Sequence, residues 1–179
     1  IYDGSSWTTT QLTGNASPDL APAAAGSSHA IVFWRGVYTT DTNFFADDHD
    51  DDAPPSFDTQ DAIYFRLYDE SAGTWGETTM VYNGSLGSVV GIKAAMLQDG
   101  ASIVVFVIDR GSDDQENPMA GYALAYRTVD ASGTPGDLVM LTTDGETDTN
   151  PQVMAVSTDP GVFLLGWYST RDGLLYQLI

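Results

Sequence analysis

The residues with the clearest chemical potential are carboxylates crowded into one short segment. Five Asp and one His lie between Asp47 and Asp52. Alternating carboxylates in a loop can converge on one Ca²⁺, a hard cation that prefers oxygen ligands. A second acidic segment follows later in the chain. The candidate Ca²⁺ ligands are Asp48, Asp50, Asp52, Asp113 and Asp114. The alternative interpretation is that both segments are solvated acidic loops without a metal.

The charge of the whole chain limits its partners. The net charge is −19, with 21 Asp against 4 Glu, and Lys93 is the single lysine. Nucleic acid and anionic membrane surfaces are therefore poor partners. Two explanations of the acidity stay open, namely Asp-rich loops that hold Ca²⁺ and an acidic surface adapted to high salt. Cysteine is absent, which excludes disulfides and thiolate metal sites.

These loops must be positioned by the elements around them, and the central element is the apolar run Ile103–Ile108. All six residues are β-branched or aromatic. Turn signals flank the run, Asp99-Gly100 before it and Asp109 to Gly111 after it. Such a run predicts a strand that is buried on both faces.

The run has copies elsewhere in the chain. Residues Gly91–Arg110 match Pro151–Thr170 without a gap, and a third copy covers Pro22–Trp34 with a shorter turn. A third strand follows each copy, in which Arg66 and Arg127 coincide, with Gln177 in the last copy. Repeats of four short strands are typical of the blades of β-propellers.

The predicted architecture is all-β, a single module over residues 1–179 with four-stranded antiparallel blade repeats. It comprises an outer strand at 1–12 and three repeats, at 22–81, 91–141 and 151–179. The alternative fold is a β-sandwich or jelly roll. Three blades are fewer than the roughly 4 to 8 of a closed propeller. We therefore expect either a head-to-tail homodimer or a fragment of a longer chain.

One insertion, predicted to span residues 36–61, interrupts the repeat pattern. It carries the acidic segment and four aromatic residues that the repeat does not explain. These four are the candidate ligand-binding residues, Tyr38, Phe44, Phe45 and Phe57. They either contact a ligand or pack the inserted segment against the repeat.

The turn and strand motifs resemble a known type of propeller. The residues that carry the likeness are Asp3 to Trp7, Asp69 to Trp75, Asp99-Gly100, Pro151 to Ala155, and Trp167. They resemble the blades of sialidase-like propellers and of fucose-binding lectins in secreted bacterial proteins. The resemblance implies a secreted or cell-surface protein that binds a glycan or an extracellular protein.

The sequence favours binding over catalysis. It contains no nucleophile elbow, phosphate loop or dinucleotide fingerprint. The expected function is an extracellular recognition module whose acidic loops hold Ca²⁺. Two alternatives stay open. One is part of a propeller-type enzyme, a glycoside hydrolase or lyase acting on polysaccharide, and the other is a structural repeat with no ligand.

Overall fold

The structure, a computed structural model, consists of three antiparallel β-sheets that follow one another along the chain. It describes residues 9, 11–12, 19–25, 29–41, 57–111, 121–142, 147–158 and 161–179, with backbone alone for 39–41, 57–59 and 157–158. The described residues form twelve strands and no helix. The prediction of an all-β chain built from antiparallel sheets is confirmed.

Each sheet is an antiparallel meander in which successive strands are neighbours, except that β4 and β5 of sheet 1 pair side by side along the same strand. Sheet 1 contains β1 (Leu20–Ala25), β2 (His29–Asp41), β3 (Phe57–Asp69), β4 (Thr74–Trp75) and β5 (Thr79–Tyr82), with β4 and β5 both paired to β3. Sheet 2 contains β6 (Ser88–Met96), β7 (Ser102–Asp109), β8 (Tyr122–Val129) and β9 (Pro135–Met140). Sheet 3 contains β10 (Asp148–Thr158), β11 (Gly161–Ser169) and β12 (Gly173–Leu178).

The predicted insertion at 36–61 is shorter than expected. Strands β2 and β3 stay paired as far as Asp41 and Phe57, so their hairpin extends well beyond the repeat. The β-branched and aromatic residues Val37 to Thr40 fit a pleated strand, which explains the extension. Tyr38 and Phe57 therefore lie in strands and not in a loop, which corrects the sequence-based placement.

Strand β7 is the centre of the molecule. The residues from Ser102 to Ile108 are all buried, which confirms the predicted two-faced burial of the apolar run. One face of β7 carries Val104, Phe106 and Ile108, which join a cluster with sheet 1. The other face carries Ile103, Val105 and Val107, which join a cluster with sheet 3. Sheet 2 is thus the middle layer of three.

Aromatic contacts support the layer between sheets 1 and 2. The rings of Phe33 and Phe65 lie 5.7 Å apart within sheet 1. The ring of Tyr82 lies 5.0 Å from that of Phe106 in sheet 2. Full burial of such side chains stabilises the fold by about 1.5–3 kcal/mol each.

The structural register corrects the gapless repeat alignment by one residue. In the third strands, Arg66, Arg127 and Gln177 oppose Val32, Val104 and Leu165, respectively. Val104 is therefore equivalent to Leu165 and not to Leu164. The difference matters because a one-residue shift moves a side chain to the other face of its sheet.

With this correction, the sheets stack by one rule. We call the face with Val32, Val104 or Leu165 the leading face, and the opposite face the trailing face. The leading faces of sheets 2 and 3 pack on the trailing faces of sheets 1 and 2, respectively. The same faces therefore meet at both interfaces.

Candidate functional site

The first strands of the three sheets meet around a cleft of about 420 Å³. Three segments line it, Asp19–Leu20 beside β1, Val90–Lys93 in β6 and Thr149–Gln152 in β10. Val107 and Tyr122 of sheet 2 complete the described lining. Ligand sites typically have volumes of about 300–1,000 Å³, so the cleft is large enough for a small organic ligand.

The three segments occupy equivalent positions in their sheets. Leu20 opposes Trp34, and Ile92 opposes Phe106. Trp34 and Phe106 are themselves equivalent, since each lies two residues beyond Val32 or Val104. The cleft therefore follows from the repeat itself, because each sheet contributes the same part of its first strand.

Two of these segments contain a β-bulge. The register shifts between Val89 and Gly91 in β6, and between Thr149 and Gln152 in β10. Bulges redirect side chains and are common beside active sites. Asn150, in the second bulge, has a φ of 52°, which is uncommon for any residue except glycine. Backbone strain of this kind clusters at functional sites.

A partly buried ion pair supports the β1 side of the cleft. The guanidinium of Arg35 donates to both carboxylate oxygens of Asp61 at 3.0 Å, and also to Asp19 at 3.3 Å. Asp61 in turn accepts a hydrogen bond from the backbone N–H of Val89 at 3.0 Å. Arg35 therefore ties Asp19, the residue before β1, to strand β2. Asp61 ties strand β3 of sheet 1 to the start of β6 in sheet 2.

The electrostatics of Arg35 agree with this geometry. Burial lowers the pKa of Arg35, but the hydrogen bonds and negative charges of Asp61 and Asp19 outweigh burial and raise the pKa overall. The guanidinium is therefore charged at every accessible pH. The charged guanidinium of Arg35 therefore holds the Asp19 carboxylate at the cleft.

Several polar groups of the cleft remain available to a ligand. Within the described part of the chain, the side chains of Lys93, Asn150 and Gln152 make no hydrogen bond. Tyr122 adds an aromatic ring whose hydroxyl likewise has no partner among the described residues. A ligand with many hydroxyl groups could exchange hydrogen bonds with amides that both donate and accept.

The carboxylates of the cleft are few. Asp19 is the one carboxylate among the described lining residues, and it is paired with Arg35. Glycoside hydrolysis normally needs two carboxyl groups about 5–9.5 Å apart across the scissile bond. Among the described lining residues, the cleft therefore holds one carboxylate and not a pair.

The predicted ligand-binding residues lie away from this cleft or outside the described residues. Tyr38 is half-buried in β2, and its charge contributes to the raised pKa of Tyr64, after burial of Tyr64 itself. Tyr64 stacks on Trp34 with ring centroids 6.1 Å apart. Phe57 pairs with Asp41 at the start of β3. Phe44 and Phe45 lie outside the described residues.

The predicted Ca²⁺ ligands Asp48, Asp50, Asp52, Asp113 and Asp114 also lie outside the described residues. Their segments do join strands at the cleft end of the sheets. The paired residues Asp41 and Phe57 flank the first segment, and Asp109 and Tyr122 flank the second. Within the described ranges, no three His, Asp or Glu side chains come together as a metal site.

Two comparisons with known proteins found no match. No protein-family model matches it, and no curated protein shows significant similarity to it. In addition, no helix among the described residues is long and apolar enough to cross a membrane.

The cleft residues escaped the sequence analysis because they carry no motif. Asn150 and Gln152 are ordinary polar residues in an ordinary strand sequence. The gapless sequence match aligns Gly91 with Pro151, whereas in the corrected register Asp19, Gly91 and Thr149 occupy corresponding places. Only the corrected register and the two bulges reveal that these places share one cleft.

Proposed function

We propose that this chain is a recognition module of three propeller-type blades that binds a glycan in the cleft between its first strands. The observation that carries the proposal is the cleft itself, which three equivalent segments line. The side chains of Lys93, Tyr122, Asn150 and Gln152 in its lining make no hydrogen bond within the described part of the fold.

The blade interpretation is supported by the order of the strands. Each sheet is a meander, and its first strand lies beside the first strand of the next sheet, β1 beside β6 and β6 beside β10. The leading face of each later sheet packs on the trailing face of the sheet before it. Propeller blades have this radial order, with the first strands around a central channel.

A glycan suits the chemistry of the cleft. Amide groups from Asn150 and Gln152 would exchange hydrogen bonds with sugar hydroxyls, and Tyr122 would offer a ring face. The chain as a whole carries a net charge of −19, so a neutral ligand avoids repulsion that a polyanion would meet. Binding, and not hydrolysis, is proposed because the described cleft holds a single, paired carboxylate.

The acidic segments belong to the same proposal. Because they join strands at the cleft end, Ca²⁺ bound there would order the rim of the cleft and neutralise part of its charge. The proposal includes a secreted or cell-surface location, because Ca²⁺ sites of extracellular modules bind the ion with dissociation constants up to the millimolar range.

The test is a glycan array probed with the labelled chain, with Ca²⁺ and then with chelator. The proposal expects a restricted set of bound glycans. For the strongest of them, Gln152→Ala should weaken affinity about tenfold, which corresponds to the loss of about 1.4 kcal/mol. The matched control is Gln98→Ala, an exposed glutamine at the β6–β7 turn, which should bind like the wild type.

Two results would contradict the proposal. Absence of binding to every glycan, with and without Ca²⁺, would remove the proposed function. Binding that Gln152→Ala and Gln98→Ala leave equally unchanged would place the site outside the cleft.

A further inference from the structure

Lys93 is the one cation among the described residues that line the cleft. It is also the single lysine of a chain with 25 acidic and 6 basic residues. Lys93 is exposed, and within the described part of the chain it makes no hydrogen bond or ion pair. The Arg35 guanidinium beside the cleft, by contrast, is occupied by Asp61 and Asp19. The cleft therefore has one positive charge that the described fold does not use.

The position of Lys93 in β6 directs its side chain towards sheet 3. Lys93 opposes Val105, which lies on the trailing face of sheet 2, and directly opposed residues share a face. Val105 is covered by sheet 3, whereas Lys93 in the first strand remains exposed. Ala95, two residues further along β6, is packed in the cluster with sheet 3. Lys93 thus lies where the contact between sheets 2 and 3 ends and the cleft begins.

Lys93 and Gln152 occupy equivalent positions in neighbouring sheets. Gln152 opposes Gly166, which corresponds to Val105 in the corrected register. Both side chains are exposed, and both residues line the cleft. Ala21, at the corresponding place in sheet 1, is apolar and buried. Equivalent positions of sheets 2 and 3 therefore present an ammonium group and an amide to the same cleft.

We propose that Lys93 selects a glycan that carries one acidic substituent, either a sugar carboxylate or a sulfate ester. The proposal rests on the glycan site proposed above and specifies the class of glycan. A lysine ammonium is a compact point charge, so it recognises an anion by its charge more than by its shape. Asn150 and Gln152 exchange hydrogen bonds with the hydroxyl groups of the same glycan. Hydrogen bonds to a charged group are roughly twice as strong as neutral ones, so the anion adds selectivity.

The acidity of the chain limits the glycan to few such groups. A polyanionic glycan carries most of its charges beyond the reach of Lys93, where a net charge of −19 repels them. A single anion on an otherwise neutral glycan contacts Lys93, and Asp19, the one carboxylate of the described lining, is paired with Arg35. At physiological ionic strength, exposed charges more than about 8 Å apart are largely screened. Contact with Lys93 therefore outweighs repulsion from acidic residues farther away.

A glycan array of matched pairs tests the proposal. Each pair consists of a neutral glycan and the same glycan with one uronic acid or one sulfate ester, in about 0.15 M salt with Ca²⁺. The wild type should bind the acidic member of at least one pair about tenfold more tightly than the neutral member. Preference in the uronic acid pairs, the sulfate pairs or both identifies the anion. Lys93→Gln should lose this preference, and Lys93→Arg, which keeps the charge, should retain it.

The matched control is Arg66→Gln, which removes the same charge from β3, outside the described lining of the cleft. It should keep the preference of the wild type. Melting curves check that each variant is folded, which we expect because Lys93 is exposed and Arg66 makes an exposed hydrogen bond to Thr78.

The outcomes separate this proposal from the glycan site on which it rests. Binding of neutral glycans with no preference for their acidic partners would overturn the role of Lys93 and leave the proposed function intact. A preference that persists in Lys93→Gln, or that Arg66→Gln loses to the same extent, would also overturn it. Absence of binding to every glycan would overturn the proposed function, and the role of Lys93 with it.

Discussion

Arg35 and Asp61 form a two-point ion pair in which Nε and Nη2 each lie 3.0 Å from a different carboxylate oxygen. The pair is mostly shielded from solvent, with side-chain exposures of 31% and 16%. Asp61 also receives the backbone N–H of Val89, so the pair joins sheet 1 to sheet 2 beside the cleft. The Arg35 guanidinium therefore helps to hold together the two sheets that border the cleft.

Arg35→Ala should lower the free energy of unfolding by about 1–3 kcal/mol, because it leaves the shielded Asp61 without its charged donor. Chemical denaturation measures the change. Arg171→Ala is the control, since Arg171 and Asp172 are more than half exposed and their atoms lie 3.8 Å apart. Exposed pairs of that kind contribute about 0–1 kcal/mol. Equal effects in both variants would show that the Arg35 pair does not support the fold.

The hydroxyl of Tyr82 makes the second link between the sheets. It donates to the carbonyl of Gly87 at 2.8 Å and accepts the N–H of Leu86 at 3.1 Å, while the residue is 3% exposed. Tyr82→Phe should cost about 1–3 kcal/mol, since Leu86 and Gly87 lose a buried partner. Tyr176→Phe, at an exposed tyrosine, should be neutral in the same denaturation experiment.

Tyr82 also predicts a pH dependence. Burial raises the pKa of Tyr82, and the charge of Asp61 adds to this, although the hydrogen bonds of the hydroxyl with the Leu86 N–H and the Gly87 carbonyl oppose it. The folded state thus favours the neutral phenol. Its contribution to stability is present below the unfolded pKa of about 10 and is lost as the pH rises through the higher folded pKa. Stability above pH 10 should fall less steeply in Tyr82→Phe than in the wild type, and parallel curves would contradict this account.

Two equivalent turns predict the behaviour in acid. The pKa of Asp69 is lowered by hydrogen bonds from the Ser71 hydroxyl and the Ala72 N–H. The pKa of Asp130 is lowered in the same way by hydrogen bonds from the Ser132 hydroxyl and the Thr134 N–H. Their contribution is present above the unfolded pKa and is lost as the pH falls through the lower folded pKa.

The double variant Asp69→Asn, Asp130→Asn should therefore lose less of its melting temperature than the wild type between about pH 4 and pH 2. Melting curves at pH 7 provide the reference for each protein. An identical acid dependence in both proteins would show that these turns do not contribute.

Two substitutions of Asn150 distinguish its role in the fold from its role in binding. Asn150→Gly keeps the φ of 52° without strain and removes the amide, so it should fold normally and bind the array-selected glycan more weakly. Asn150→Ala should also cost about 1 kcal/mol of stability, because a left-handed conformation is unfavourable for alanine. Calorimetric titration and thermal melting together distinguish the two effects. Unchanged affinity in Asn150→Gly would exclude the amide from the site.

Calcium makes a separate prediction. At about 100 times its dissociation constant, a bound ion should add about 2.7 kcal/mol to the free energy of unfolding. Melting with excess Ca²⁺, with chelator, and with Mg²⁺ as the control measures this gain. Identical curves under all three conditions would count against Ca²⁺ in the acidic segments.

The all-β fold was largely predictable because apolar runs and turn residues mark its strands in the sequence. The run Ile103–Ile108 is apolar without a break, and burial on both faces follows from that pattern. Turn residues such as Asp99-Gly100 mark where strands end, and Gly100 has the positive φ expected of such a turn. The coincidence of Arg66 with Arg127 is also a structural equivalence, since Arg66 opposes Val32 and Arg127 opposes Val104 in their sheets. The Arg127 guanidinium also donates to the carbonyl of Val81 in sheet 1 at 2.7 Å.

The cleft was not predictable, for two physical reasons. The faces of sheet 3 depend on a register that differs by one residue from the apparent sequence match, and a bulge leaves no apolar signature. The aromatic residues near Tyr38 were predicted to bind a ligand because they lie outside the repeat. The cleft, however, is formed by equivalent segments of the three sheets. A site that each sheet builds with different residues carries no shared motif.

Amide hydrogen exchange with and without the array-selected glycan tests the central claim most directly. The account predicts that the glycan slows exchange in three segments distant in sequence, at 19–20, 90–93 and 149–152, because all three line one cleft. Protection confined to a single segment, or located at the β6–β7 turn at the opposite end of sheet 2, would contradict it.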